Sequence, residues 1–424
     1  MTTRPLHAVL LPPERAGGRM LEALAAALDG SGPAILPLDP ALPRARLTAL
    51  LEALAPSAVE THNGIERYGS PLPGHGGPDG VSPETALVIA TSGSTGQPKG
   101  TELSAAALRA SAAASLRRVG AGPGERWLCC LPTFHIAGVQ VLVRSLLSGT
   151  TPVITARLQP GALAASGCAH VSLVPTQLRR LLDAGEDLAA AATILLGGAP
   201  AQPGLLDAAR AAGGRVVTTY GMSETCGGCV YDGMPLDAVS VDIGPGGRIR
   251  IAGPVLFSGY RLRPDLTARA RDGHWFVTSD IGEIGPAGQL LVRGRADDVI
   301  NTGGEKVVPA QVEAALGNCP GVRDVVIVGR PDPEWGELVI AVIVPLEPSA
   351  PPHLADIRAH VRRGLPGYAA PGALLLVPEL PMLPSGKPDR ETLRARVAEA
   401  DIADLAGRRR AHGSSTGTIG RATR

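Results

Sequence analysis

Only three of the forty basic residues are lysine, and each sits in a glycine-containing turn: Lys99 in TGQPKG, Lys306 in TGGEKV and Lys387 in PSGKPDR. Arginine fills every other basic position, so these places select a compact, mobile ammonium over a planar guanidinium fork. The densest chemistry surrounds the first. Over 86–100 the run ALVIATSGSTGQPKG passes from an apolar segment into a loop where Gly93, Gly96 and Gly100 alternate with Thr91, Ser92, Ser94 and Thr95. Such a loop can cradle phosphate. Glycines let the backbone approach closely, successive N–H groups converge on one anion, hydroxyls add neutral donors, and Lys99 supplies charge. The loop fits neither the GxxxxGK[ST] nor the GxGxxG pattern, and Pro98 falls where a helix would begin.

Further along, FVTSD ends in Asp280, a carboxylate able to accept both hydroxyls of a vicinal diol. Glu224, within YGMSE, could hold Mg²⁺ by one carboxylate beside phosphate groups, which suits an ion that keeps most of its waters. In PTFHIAG, His135 follows Phe134, and nine residues on Arg144 interrupts the apolar stretch VQVLVRSLLSG. A lone buried guanidinium is costly without an anion, and a substrate carboxylate would satisfy it. The Cys226-Gly-Gly-Cys229 spacing has no matching second Cys or His pair, so these read as structural thiols.

The elements that must position these groups are legible as pattern. Apolar runs at 86–90, 171–174, 193–196 and 215–220 alternate with Ala/Leu/Arg-rich helical stretches, which predicts an α/β fold with strands covered on both faces. The turns TSGSTG, LGGAP and YGMSET follow strand ends and should converge on one cleft. After about residue 240 the segments GGRIRIAG, HWFVTSD and GQLLVRG predict a small antiparallel β subdomain. The expected organisation is a large N-terminal domain of layered α/β sheets over 1–295 and a smaller α+β domain over 296–402. The remaining residues, 403–424, form a polar, basic tail expected to be disordered.

Composition narrows the functional classes. A formal charge of +1 gives no whole-protein field to collect nucleic acid or anionic lipid. The sequence shows neither a secretory leader pattern nor about 18 uninterrupted apolar residues, which predicts a cytoplasmic protein without stable membrane insertion.

Taken together, TSGSTGQPKG, YGMSE, FVTSD, GRADDVINTGGEKVVPAQVE and LPSGKPDR resemble, in order, the motifs of the adenylate-forming superfamily of acyl-CoA synthetases, luciferases and adenylation domains. The resemblance spans roughly 84 to 396, with an N-terminal part shorter than usual, and it implies a mobile C-terminal domain. It implies ATP, Mg²⁺ and coenzyme A, the last as acyl acceptor. The ATP site it implies comprises Thr91, Ser92, Gly93, Ser94, Thr95, Gly96, Lys99, Gly197, Gly198, Ala199, Tyr220, Gly221, Met222, Ser223, Asp280 and Arg295. Tyr220 would stack on adenine, Asp280 would hold ribose, and Glu224 would hold Mg²⁺. Lys387 would be the catalytic lysine of adenylation, Asp297 the hinge, and Gly303 with Gly304 the lining of the pantetheine tunnel.

The acid pocket would carry His135, Arg144, Thr225 and Gly227. The short N-terminal region, YGMSETCGGCVYDG and Arg144 look most like the o-succinylbenzoate-CoA ligase family of menaquinone biosynthesis, in which a basic residue at the Arg144 position is associated with the second carboxylate of the acid. Two other readings stand beside it: another aryl- or acyl-CoA ligase or carrier-loading enzyme, and a non-catalytic nucleotide-binding module. The expected partners are the small-molecule acid, ATP and CoA, with a homodimer allowed and nucleic acid excluded.

Overall fold

The computed structural model describes residues 3–11, 13–68, 80–92, 98–201, 203–383 and 387–400. The phosphate-loop residues Gly93, Ser94, Thr95 and Gly96, the Ser92 side chain and the 403–424 tail lie outside the described parts. By contacts the chain divides into two units. One is Met1–Asp297 with Met382–Lys387, and the other is Asp298–Pro381 with Pro388–Arg424. The division falls two residues beyond the expected boundary, and Lys387 groups with the large unit.

Among the described residues the large unit contains two seven-stranded sheets. In the first, Leu6–Val9 lies between Ala34–Pro37 and Ala58–Thr61, parallel to both. Thr85–Ser92 extends that sheet and turns back antiparallel onto Pro98–Ser104. In the second, Trp127–Cys129, His170–Leu173, Thr193–Leu196 and Val216–Met222 run parallel in neighbouring positions. The apolar sequences WLC, HVSL and TILL suit strands whose two faces are both covered.

Two helices join the sheets into one core. Ala105–Val119 packs on Pro98–Ser104 of the first sheet and Gly227–Tyr231 of the second. Its start is fixed by the Ser104 hydroxyl, which accepts from the Ala107 N–H at 3.1 Å, and its end by Gly120 at φ 72°. Helix Ile136–Leu147 packs on Trp127–Cys129 and Gly227–Tyr231, and its residues 138–145 are buried all round. Gln140 and Arg144 are therefore polar groups inside the core.

The expected antiparallel subdomain is present. Ser240–Ile243, Arg248–Ala252, Trp275–Ile284 and Arg271–Asp272 form it in that order, and Leu290–Arg295 pairs with Trp275–Ile284. The smaller unit is α+β, with the long hairpin Val322–Asp332 and Gly336–Pro345 flanked by Ala373–Leu376 and Ile300–Thr302. Helices Pro309–Leu316 and Arg390–Glu399 pack against Val322–Asp332.

Candidate active site

A cavity of about 560 Å³ opens in the large unit, a size typical of small-molecule sites. It lies at the carboxyl ends of the parallel strands, where open α/β sheets place ligands. Leu131 and Pro132 follow one strand end, Val174 a second, and Gly197 with Gly198 a third, while Gly221, Met222, Ser223 and Glu224 close the fourth. These walls depend on absent side chains. A Cβ on Gly197 would stand 2.3 Å from the Thr219 hydroxyl, and one on Gly221 would stand 2.0 Å from the Gly227 carbonyl oxygen.

Charge in the lining is one-sided. Lys99, Arg144, Arg248, Arg269, Arg295 and Lys387 contribute six cations, and Glu224 is the one carboxylate among the lining residues. Such a wall accepts anionic ligands. Thr91 and Lys99 face each other across the hairpin that brackets the expected phosphate loop, and both line the cavity. The Lys99 ammonium lies 5.3 Å above the Tyr260 ring, whose hydroxyl donates to Glu224 at 2.8 Å. Burial and the Glu224 carboxylate both push the Tyr260 hydroxyl pKa up.

Arg295 sits between two carboxylates, with Asp280 at 3.6 Å and Asp297 at 3.0 Å. Asp280 also accepts from the Tyr220 hydroxyl at 2.8 Å. Lys387 lines the same cavity with part of its surface open to solvent. Desolvation by the protein crowded about its ammonium lowers its pKa, the Arg295 cation lowers it further, and Asp280 opposes. Of the residues the resemblance named, Thr91, Lys99, Gly197, Gly198, Gly221, Met222, Ser223, Glu224, Arg295 and Lys387 line this cavity.

One side of the cavity follows helix Ile136–Leu147. Ile136, Gln140 and Arg144, four residues apart, present one face to it, and eight residues of helix span roughly 12 Å. His135 stands at the helix start with its Nε2 buried and unbonded. Burial holds its pKa down, with Lys387 adding to the effect and Asp39 opposing it. Arg144, 5% exposed, donates to the Ser172 hydroxyl at 2.9 Å and stacks 4.3 Å above the Trp127 ring. Among the described residues no carboxylate pairs with it, and its Nε–H has no hydrogen-bond partner.

Some of the expected site residues stand behind the cavity lining rather than in it. Thr225 is fully buried and its hydroxyl is spent inside the turn, accepting from the Met222 N–H at 2.9 Å and donating to the Gly227 carbonyl at 2.7 Å. It braces the wall that Gly227 presents. Tyr220, Ala199 and Asp280 also stand outside the lining, although Ser279 and Arg295 beside Asp280 belong to it. The Tyr220 ring is packed against the large-unit core, with its hydroxyl fixed on Asp280.

Gly303 and Gly304 form the turn between Ile300–Thr302 and Glu305–Val307 in the smaller unit, both with positive φ, 59° and 84°. The Gly303 N–H donates to the Trp335 carbonyl at 2.8 Å. Tyr260, Trp127, Ser172, Arg248 and Arg269 were missed by sequence reasoning. None has a local motif: the first four stand on strands placed by pairing across the fold, and Arg269 ends the helix Pro264–Arg269.

The AMP-binding enzyme family matches residues 71–261, and the AMP-binding enzyme C-terminal domain matches 311–387. The probable 2-succinylbenzoate-CoA ligase of Mycobacterium tuberculosis is 43% identical over 413 residues, covering 93% of this chain and 100% of that protein. The chain belongs to the 2-succinylbenzoate-CoA ligase family. The Listeria monocytogenes 2-succinylbenzoate-CoA ligase is 32% identical across 73% of this chain and 70% of that enzyme. Among solved structures, the Bacillus subtilis o-succinylbenzoate CoA synthetase in complex with its acyl-adenylate intermediate superposes with a TM-score of 0.79 at 26% identity, covering 95% of this chain and 89% of that one. The same enzyme with ATP and magnesium gives 0.77 at 26% identity, with 93% and 90% covered. Membership fixes the class of chemistry as AMP-forming acid-thiol ligation.

Proposed function

We propose that this enzyme activates 2-succinylbenzoate with ATP and transfers the acyl group to coenzyme A, the reaction named for its relatives. The observation that carries the choice of acid is Arg144, a buried guanidinium that no carboxylate among the described residues pairs with, lining the cavity roughly 12 Å along the helix from Ile136. A monocarboxylic acid leaves that charge uncompensated. A dicarboxylate places one carboxylate there, in the bidentate manner that favours arginine, and extends the other toward His135 and Lys387.

In the first half-reaction a carboxylate oxygen of the acid attacks the α-phosphorus, the bond to the bridging oxygen breaks, and pyrophosphate leaves with the electron pair. Lys387 serves by charge. Negative charge gathers between two anions at the transition state, and an ammonium placed there stabilises it more than the ground state. Glu224 fits a magnesium site of the kind built from one carboxylate and substrate phosphates. It lines the cavity, and its Oε1 is already oriented by Tyr260. The ion, when bound, neutralises phosphate charge. Asp280, held by Tyr220 and beside Arg295, is the acceptor for ribose hydroxyls.

In the second half-reaction the CoA thiol attacks the acyl carbon, its proton goes to solvent base, and AMP departs. The Gly303–Gly304 turn suits the narrow pantetheine arm, and Asp297 serves as the pivot. ATP and CoA as substrates fit a cytoplasmic site of action.

The test is pyrophosphate release with 2-succinylbenzoate, benzoate, a medium-chain fatty acid or no acid, each with and without CoA, followed by mass detection of the thioester. Release and thioester restricted to 2-succinylbenzoate are expected. A different productive acid would discard the substrate assignment.

A further inference from the structure

We propose that Trp127 is the positioning residue that keeps Arg144 available for a substrate carboxylate, holding the buried guanidinium by its face so that no protein carboxylate has to hold it by its edge. The inference rests on the reading of Arg144 as the anchor for the second carboxylate.

A buried arginine is ordinarily stabilised by an acidic partner, which consumes the in-plane N–H groups that a carboxylate ligand would need. Here the attraction comes from elsewhere. The guanidinium lies 4.3 Å above the Trp127 ring, an arrangement in which the ring quadrupole favours a cation without using any donor. Ser172 takes one Nη2 donor at 2.9 Å. The Nε–H remains unbonded. An aromatic face and a single hydroxyl thus fix the plane of the group and leave other donors for a ligand.

The ring itself is held firmly. Trp127 is 0% exposed and begins a strand with parallel partners on both sides. Its register partner His170 stacks beside it with ring centroids 4.7 Å apart, and His170 Nε2 lies 2.9 Å from a Glu125 carboxylate oxygen. That carboxylate stays with His170 rather than Arg144. Trp127 is thus fixed in the sheet behind the lining, and its ring face carries Arg144, which does line the cavity.

The experiment compares the full-length protein with Trp127→Phe, Trp127→Leu, Arg144→Ala and the Trp127→Leu/Arg144→Ala pair. The acids are 2-succinylbenzoate and 4-oxo-4-phenylbutyrate, which lacks the ring carboxylate, with pyrophosphate release and melting temperature as readouts. Trp127→Leu is expected to raise KM for the dicarboxylate by about tenfold with kcat and the KM for ATP nearly unchanged. The monocarboxylate should respond little. Trp127→Phe should show a smaller shift in the same direction, and the pair should be no worse than Arg144→Ala alone.

An equal effect on both acids, or none on the dicarboxylate, overturns the proposal. If the leucine variant does not fold, the phenylalanine variant decides: a selective rise of a few-fold supports the proposal and no selectivity overturns it. A dicarboxylate KM unmoved by Arg144→Ala overturns the substrate reading and this inference with it. An Arg144 effect without a Trp127 effect overturns the inference alone.

Discussion

The Tyr260 hydroxyl donates to Glu224 Oε1 at 2.8 Å while the ring of the same tyrosine lies 5.3 Å beneath the Lys99 ammonium. One aromatic residue therefore orients the single carboxylate of the cavity lining and supports one of its cations. Residues that orient a metal-holding group commonly cost tenfold or more when removed. Tyr260→Phe is expected to raise the Mg²⁺ concentration needed for half-maximal pyrophosphate release by roughly tenfold, with KM for the acid unchanged. An unaltered Mg²⁺ titration would show that Glu224 needs no such support.

Thr225 should behave as a structural residue. Thr225→Val removes the acceptor for the Met222 N–H and the donor to Gly227 in a fully buried turn. Leaving such groups unpaired costs about 1–3 kcal/mol. The melting temperature should fall while the KM for the acid in the folded fraction changes less than threefold, which thermal melts and steady-state kinetics together would check.

In the role proposed for Lys387 the ammonium is the active form, and its pKa is lowered, first by desolvation and then by Arg295. The protonated fraction therefore falls at lower pH than for a free lysine, so the alkaline limb of adenylation should lie below the ordinary lysine value of about 10.4. Arg295→Met removes one lowering influence. The limb should then move to higher pH, read as pyrophosphate exchange against pH, even though the variant also weakens nucleotide binding. A limb that moves downward would contradict the sign.

Much of the fold was legible because the strands of the second sheet are covered on both faces, and continuous runs such as TILL and HVSL carry that burial in their composition. The turns LGG and YGMSE were legible because close packing of their backbones leaves no room for a Cβ at Gly197 and Gly221. Less visible was that Thr85–Ser92 would turn back as a hairpin onto Pro98–Ser104, since its apolar run resembles any buried strand. Trp127 and His170 are 43 positions apart and meet only through strand register. Pairwise register is a property of the whole sheet, and no local spacing encodes it. Thr225 was found through its motif, but the hydrogen bonds of its hydroxyl within the turn were not legible, because a hydroxyl beside a pocket and one locked in the turn beneath have the same sequence.

All six cysteines are buried and free. Burial drives the thiol of Cys129 up to about 11 and those of Cys130 and Cys229 to about 12, and it raises Cys226 and Cys319 as well. Since the thiolate is the reactive form, these sulfurs are poor nucleophiles at neutral pH. An acyl adenylate is an electrophile that would acylate any competent sulfur within reach. The chain carries none on its surface, so self-acylation is suppressed and the activated acyl group waits for the thiol that the acceptor brings.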